Sequence, residues 1–378
     1  MKFRLFCAAL AIGTLVVPGR RGSAQEQFPY QIFERYLAPL AQNVGIPGLS
    51  AVIVQGGADG SRGRIAWKGE YGYADLERKI PATIDTPYAV GGITQAVTGV
   101  LMGVCIDRYG FQIDQDIRGF APSFPVRETS VRQVLAHATD GRFHYDPTLY
   151  SQLTPVVESC TKQSYRQATA VEILERVTPP MRRSVPGLDL ARPEGAAALA
   201  QFDAETVARY QSVLREVAVP YRIDAKLRPS RSEYPSYGLD AAGGLVTTAY
   251  DLAQLAIALD DRTVPVPLSF STLDKMWSNQ IFTVSGATSN VQIAMPTGLG
   301  WFVTNESGQR LVWTFGHIQD ASSALIVKIV TPATQSRPEK RLTLIMLANS
   351  GGLAKGYDLE NANVTSSPFV KVFLRLFI

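Results

Sequence analysis

Two kinds of hydrophobic periodicity alternate along the chain and predict a mixed α/β fold. Residues 49–54 form an apolar run typical of a buried strand, and glycine-rich turns separate it from a second predicted strand at residues 64–68. Between residues 93 and 105 the apolar side chains recur every three or four positions, which predicts a buried helix that ends at Gly110. An earlier helix is predicted at residues 31–43.

The middle and the last third of the chain follow different patterns. From residue 105 to about residue 235 we expect helices and irregular segments without a convincing strand, the clearest helices being residues 131–137, 149–160 and 205–217. A helix at residues 249–259 then precedes four predicted strands, residues 298–303, 310–315, 323–330 and 342–349, and an amphipathic helix closes the chain at residues 369–377.

This order of elements predicts the fold class and its division into lobes. The class is α/β (α+β), with an antiparallel sheet flanked by helices and completed by both ends of the chain. Residues 25–104 and 236–378 make up the expected α/β lobe, and residues 105–235 form an inserted all-helical lobe.

The first residues predict the compartment. Lys2 and Arg4 precede an apolar run at residues 5–18, and Gly22-Ser23-Ala24 supplies the small residues that a signal peptidase requires. We therefore predict a signal peptide at residues 1–24 and an exported protein, periplasmic or secreted, with an uncleaved N-terminal anchor as the alternative. No later stretch has the pattern of a transmembrane segment.

Removal of the signal changes the charge balance. Four of the 37 basic groups lie in residues 1–24, so the remainder carries 33 basic and 33 acidic groups. This balance gives no reason to expect a nucleic-acid partner. The sequence does not define an oligomeric state.

Few residues suggest metal or cofactor chemistry. The three histidines lack metal-ligand spacing, and phosphate- and dinucleotide-binding motifs are absent, so we expect neither a metal nor a cofactor. Cys105 and Cys160 both lie on apolar helical patterns, where an unpaired cysteine commonly acts as a small buried hydrophobe. In an exported protein they can also be oxidised, and the sequence leaves their pairing open.

Several segments carry a family resemblance: EYGYADL at residues 70–76, TPY at 86–88, VRQVLAH at 131–137, GGLVTTAYDLA at 243–253 and GLGW at 298–301. Together they resemble the serine β-lactamase and penicillin-binding protein family, in particular its class C, D-alanyl-D-alanine peptidase and esterase branch. The resemblance extends through nearly the whole mature chain and implies a β-lactamase/transpeptidase-like fold.

The first catalytic motif of that family is degenerate here. Its members attack an acyl carbon with a serine at the start of the central helix, and a lysine one turn later takes part in proton transfer. The matching run is Gly92-Ile93-Thr94-Gln95. Gly92 cannot form an acyl intermediate, and Gln95 has no useful basicity.

The other two motifs are incomplete as well. The family's Y-x-N corresponds to Tyr145-Asp146-Pro147, so the phenol is retained and the amide is lost. The K/H-[ST]-G motif corresponds to His317-Ile318-Gln319, or to Gly316-His317 after a slip of one residue. We expect Gln319 to crowd the position where glycine normally admits a substrate.

Other reactive groups have ordinary interpretations. Ser159-Cys160-Thr161-Lys162 matches S-x-x-K as a string, but it ends a predicted helix instead of opening one. Thr94 is expected to cap or to be buried, and His137 to hydrogen-bond a backbone carbonyl. Tyr145 and His317 each remain open between a functional and a structural role.

The residues predict a non-catalytic homologue with a ligand in the former active-site cleft. The expected ligand is an acyl compound, a peptide or a protein partner, contacted by Gly92, Tyr145, His317 and Gln319. The alternative is a weak hydrolase (esterase, peptidase or β-lactamase type) in which Tyr145 or His317 acts with a bound water. A third hypothesis is a structural protein whose cleft is filled by side chains.

Overall fold

The computed structural model describes residues 24–57, 61–264, 267–285, 290–336 and 338–378, so nearly all of the predicted signal peptide lies outside the described residues. The strands are β1 (Gly48–Gln55), β2 (Arg64–Asp75), β3 (Ile80–Pro81), β4 (Tyr88–Ala89), β5 (Tyr221–Ile223), β6 (Pro229–Arg231), β7 (Val246–Thr247), β8 (Ile281–Ser285), β9 (Asn290–Ala294), β10 (Phe302–Glu306), β11 (Gln309–Ile318), β12 (Ser322–Thr331) and β13 (Lys340–Ala348). The α-helices are α1 (Ala24–Asn43), α2 (Ile93–Tyr109), α3 (Val131–Leu135), α4 (Pro147–Ser151), α5 (Thr154–Thr161), α6 (Tyr165–Thr169), α7 (Ala196–Leu199), α8 (Ala204–Arg215), α9 (Ala249–Asp260), α10 (Phe270–Met276) and α11 (Pro368–Phe377).

A seven-stranded antiparallel sheet organises the fold, with the strand order β10-β11-β12-β13-β1-β2-β3. The first long strand of the chain pairs with the last one, as Ala51 lies opposite Met346. Both ends of the chain therefore complete one sheet, which confirms the predicted fold class.

Alternation along β1 explains how the sheet buries both of its faces. Val52 and Val54 belong to the hydrophobic cluster that includes α2 and α9. Ala51 and Ile53 belong to a second cluster with residues of α1 and α11. Because successive side chains of a strand point to opposite faces, one apolar run supplies both cores.

Several predicted elements differ from the structure. The helix expected at residues 149–160 is divided into α4 and α5, and Pro155, which lacks the N–H that a helix interior needs, lies in the first turn of α5. The strand expected at residues 298–303 occurs later, as β10. The segment thought to lack strands contains the hairpin β5–β6, whose Tyr221 N–H donates to the carbonyl of Asn349 at the end of β13.

A disulfide resolves the open question about the two cysteines. Cys105 on α2 and Cys160 on α5 are bonded, with their Cα atoms 5.9 Å apart. The bond links the buried central helix to the helical segment. In the described part of the chain, no helix combines the length and apolar character needed to span a membrane.

Candidate functional site

The buried helix α2 begins in a loop of two glycines that is held from both sides. The Thr94 hydroxyl donates to the carbonyl of Gly91 at 2.8 Å and accepts the N–H of Leu245 at 3.3 Å. Thr94 is 1% exposed, so the expected burial is confirmed. The N-cap of α2 is Gly92, and no side chain among the described residues hydrogen-bonds that cap. The two Thr94 bonds connect the start of α2 to the family-like segment that precedes α9.

Gly92 lies in contact with the backbone of β11. A β-carbon at this position would lie 2.7 Å from the carbonyl oxygen of Phe315 and 3.0 Å from the Tyr145 hydroxyl. On the other side of the contact, a β-carbon on Gly316 would lie 1.9 Å from the carbonyl oxygen of Val90. Since both distances to backbone oxygens are too short for a carbon atom, the contact requires glycine both at Gly92 and at Gly316.

Gln95 occupies the lysine position and is held by side chains from three other elements or loops. Its Nε2 donates to the Tyr145 hydroxyl at 3.1 Å, and its Oε1 lies 3.2 Å from His137 Nε2. The Tyr150 hydroxyl donates to the Gln95 backbone carbonyl at 3.0 Å. The amide therefore links two aromatic residues without carrying a charge.

His137 completes this neutral network. Because an amide oxygen only accepts, His137 Nε2 carries the hydrogen in this arrangement, and Nδ1 faces the N–H of Asp146 at 3.5 Å. Burial lowers the pKa of His137 to about 3. The expectation that this histidine bonds a backbone carbonyl is wrong, since its partner is the side chain of Gln95.

Tyr145 and His317, from the second and third degenerate motifs, are neutral as well. Burial raises the pKa of Tyr145 well above its ordinary value, although the hydrogen bond from Gln95 opposes the shift. Burial also lowers the pKa of His317. The Nε2 atom of His317 is buried and has no hydrogen-bond partner among the described residues.

A cleft of about 410 Å³ brings most of the predicted site residues together. Its lining includes Gly92, Gln95, Tyr145, Pro147 and His317. Gln319 is not part of this lining and is exposed in the turn after β11, so its expected position in the cleft is wrong. Two other cavities, of about 420 and 570 Å³, are lined by other residues.

Sequence reasoning missed one side of the cleft, which is formed by Thr148, Ser151, Tyr237, Asp240, Ala242 and Gly243, with Gly91 beside Gly92. In the sequence, these residues are marked only by their neighbours. Residues 237–242 precede the GGLVTTAYDLA run, and Thr148 and Ser151 follow Pro147 of the second motif. Asp240 Oδ1 accepts the N–H groups of Ala242 at 2.7 Å and Gly243 at 2.9 Å. Burial raises the pKa of Asp240, against the effect of these two hydrogen bonds.

The remaining candidates have no place in the cleft. Helix α5 ends at Thr161, and Lys162 caps it in the left-handed conformation with φ of 57°, as expected for a string that ends a helix. Neither Ser159 nor Lys162 lines the cleft. In the described ranges, no group of three or more His, Cys, Asp or Glu side chains is arranged to hold a metal ion.

The sheet, the helices on its faces and the cleft at the start of the buried helix define a protein with the fold of the β-lactamase and penicillin-binding-protein serine hydrolases. The Beta-lactamase family model matches residues 33–367, and this chain belongs to that family. No curated protein matches the chain.

Solved structures show the same fold at low sequence identity. The octameric penicillin-binding protein homologue from Pyrococcus abyssi is 20% identical with a TM-score of 0.63, over 89% of this chain and 77% of its own. The protein titled SurE is 19% identical with a TM-score of 0.63, over 92% of this chain and 77% of its own. The penicillin binding protein from Bacillus halodurans is 13% identical with a TM-score of 0.60, over 89% of this chain and 97% of its own.

Proposed function

We propose that this protein is an exported, non-catalytic member of its family that binds an acyl or peptide ligand in the former active-site cleft. One observation carries the proposal: the nucleophile position is Gly92, packed against the Phe315 carbonyl, and the lysine position is Gln95, held between His137 and Tyr145. This arrangement has a ligand-sized cleft but lacks both the hydroxyl and the amine that acyl transfer requires in this family.

The polar groups near Gly92 support a carbonyl as the bound group. The Tyr145 hydroxyl accepts from Gln95 and keeps its own hydrogen for donation, and it lies next to Gly92. The N–H of Gly92 has no acceptor among the residues that the structure describes. Two donors at one end of the cleft suit the oxygen of an amide or ester.

An anionic end group fits this part of the cleft less well than an uncharged carbonyl does. The N–H groups of Ile93, Thr94 and Gln95 already donate to the carbonyls of residues 90, 91 and 92. In the described part of the chain, neither lysine nor arginine lines the cleft. We therefore place the acyl carbonyl, and not a free carboxylate, at this end.

Calorimetric titration with alanyl-alanine amide and its N-acetyl form tests ligand binding. We expect saturable binding of at least one peptide, weakened roughly tenfold by Tyr145→Phe, since this change removes one hydrogen bond to the ligand. Tyr36→Phe, which removes a hydroxyl from an exposed residue of α1 outside the cleft lining, serves as the matched control. Failure of both peptides to bind the natural protein would refute the peptide-binding proposal.

Weak hydrolysis remains the alternative function, and His317 is the observation that favours it. His317 lines the cleft, and burial lowers the pKa of its imidazole. Its Nε2 atom is buried next to Gly351, so the ring must rotate before that atom can reach a water in the cleft. A neutral imidazole can act as a general base towards a bound water. p-Nitrophenyl acetate turnover that is lost in His317→Gln would support this alternative, whereas turnover unaffected by His317→Gln and Tyr145→Phe would exclude both residues.

Export is supported by the pattern of residues 1–24 and by the Cys105–Cys160 disulfide, because such bonds persist in oxidising compartments. Fractionation of expressing cells, with N-terminal sequencing of the product, tests it. We expect a chain that starts after Ala24 outside the cytoplasm. A product that retains Met1 in the cytoplasmic fraction would contradict export.

The third hypothesis, a structural protein with a filled cleft, is not supported. The cleft has a volume of about 410 Å³ and is lined by polar groups from several elements and loops.

A further inference from the structure

Asp240 adds a hydrogen-bond acceptor to the cleft lining, in contrast to the donors at Gly92 and Tyr145. Both hydrogen bonds of this carboxylate end on Oδ1, so they hold the side chain in a fixed orientation. Oδ2 has no hydrogen-bond partner within the described residues, and it is not among the buried polar atoms that lack one. The atom is therefore exposed to solvent, and Asp240 lines the cleft.

The surroundings of Asp240 do not neutralise its charge. Among the described residues that line the cleft, His317 is the one side chain that could carry a positive charge. Burial lowers the pKa of its imidazole and so favours the neutral form. A carboxylate without a cationic neighbour in a cleft attracts a cation from solution. The cleft thus carries a negative charge, which repels an anionic acyl compound.

Tyr237 adds a second feature that suits a cation. Its ring lines the cleft and is 40% exposed, and its Cε2 lies 3.6 Å from a β-carbon built on Gly243, whose N–H is bonded to Asp240. The ring is thereby placed next to the Asp240 loop. An ammonium group bound by the carboxylate would also find an aromatic face available.

We propose that the cleft selects ligands with a protonated amine, which Asp240 binds beside Tyr237 while an acyl carbonyl is held by the Gly92 N–H and the Tyr145 hydroxyl. The ligand class is an amino-acyl amide or a peptide with a free N-terminus. The inference rests on the proposed function and names the ligand class for the same cleft. The donors at Gly92 and Tyr145 and the acceptor at Asp240 bind different groups of such a ligand, so together they fix its direction.

The test compares alanyl-alanine amide, which carries an ammonium group, with N-acetyl-alanyl-alanine amide, which does not. Calorimetric titration at pH 7 is expected to give about tenfold tighter binding of the free amine, the order of one charge-assisted hydrogen bond. Asp240→Asn should remove this preference, because the asparagine oxygen can still accept both N–H groups and only the charge is lost. Glu205→Gln, which removes an equal charge from exposed helix α8, should leave the preference intact.

Three results would overturn the inference. Equal or tighter binding of the acetylated peptide would show that no ammonium is recognised, while the proposed binding function would stand. Equal weakening of both peptides in Asp240→Asn would give Asp240 a structural role only. Binding of neither peptide to the natural protein would overturn both this inference and the proposed function.

Discussion

At the scale of single residues, the position of Gly92 is constrained by packing as well as by lost chemistry. A serine at this position needs a β-carbon, which would approach the Phe315 carbonyl oxygen to 2.7 Å. A backbone oxygen in a central region of β11 cannot turn aside as a flexible side chain would. Substitution at Gly92 therefore requires β11 to shift before any hydroxyl can be presented to a substrate.

We expect Gly92→Ala and Gly92→Ser each to lower the free energy of unfolding by about 1–3 kcal/mol, because both add a carbon atom to a closed contact. Urea denaturation measures the change. Gly119→Ala is the matched control, since a β-carbon there meets no atom within 4 Å. Unfolding free energies of the Gly92 variants equal to that of the control would show that β11 leaves room at Gly92.

Asp251 gives a pH dependence with a defined sign. It is 2% exposed and accepts hydrogen bonds from the Ser184 hydroxyl at 2.7 Å and the Arg183 N–H at 2.9 Å. Burial nevertheless raises its pKa from 3.8 to about 6. Because the folded state binds this proton more tightly than the unfolded state, protonation of Asp251 stabilises the folded protein. This stabilisation is complete below pH 3.8 and is lost as the pH rises through about 6.

The free energy of unfolding of the Asp251→Asn variant should therefore lack this pH dependence. Relative to it, the natural protein should lose about 2–3 kcal/mol of stability between pH 4 and pH 7. Urea unfolding at a series of pH values provides the measurement, with exposed Asp140→Asn as the control variant. Parallel stability curves for the natural protein and Asp251→Asn would contradict the raised pKa.

Motif comparison predicted part of the site at residue scale. Gly92, Gln95, Tyr145 and His317 were expected in one cleft, and they line it. The link between Gln95 and His137 and the closeness of Phe315 to Gly92 were not predicted. Both depend on how strands and loops distant in sequence approach each other, which no local pattern encodes.

At the scale of elements, the clearest consequence concerns α2 and α5. The two helices are joined by the Cys105–Cys160 disulfide, which closes a loop with a sequence separation of 55 residues. Cross-linking a loop of this length restricts the unfolded chain and stabilises the folded state by about 4 kcal/mol in the chain-entropy model. The start of α2 carries Gly92 and Gln95, so the bond also anchors the helix that forms the cleft.

Replacement of both cysteines by alanine should lower the free energy of unfolding by about 2–4 kcal/mol. Guanidinium denaturation of the double variant and of the natural protein measures this difference. A reducing agent should destabilise the natural protein and leave the double variant unchanged. Equal stability of the oxidised natural protein and the variant would show that the bond contributes nothing.

Element boundaries were predicted well where one periodicity dominated and less well where proline or short strands intervened. Helix α9 and strands β12 and β13 lie within one or two residues of their expected positions. Hairpin β5–β6 was missed because its strands are only three residues long and β6 is exposed, so neither shows a hydrophobic pattern. Pro155 divided a helix that apolar spacing alone predicted as continuous.

At the scale of the whole molecule, the fold is determined by a sheet with two buried faces. The apolar runs of β1, β12 and β13 specify that sheet, and amphipathic helices at both ends of the chain cover one face. Helices α2 and α9 lie on the other face. This arrangement was predictable because strand and helix periodicities differ over long segments. The role of the cleft was not, because it depends on a few contacts between these elements.

Labelling of the purified, oxidised protein with a fluorophosphonate and with a penicillin, followed by intact-mass measurement, tests the central claim most directly. The account predicts an unmodified mass with both reagents, because Gly92 supplies no nucleophile and Gln95 no base. A stoichiometric adduct on the natural protein would contradict the account, since it would reveal a working nucleophile at a position other than Gly92.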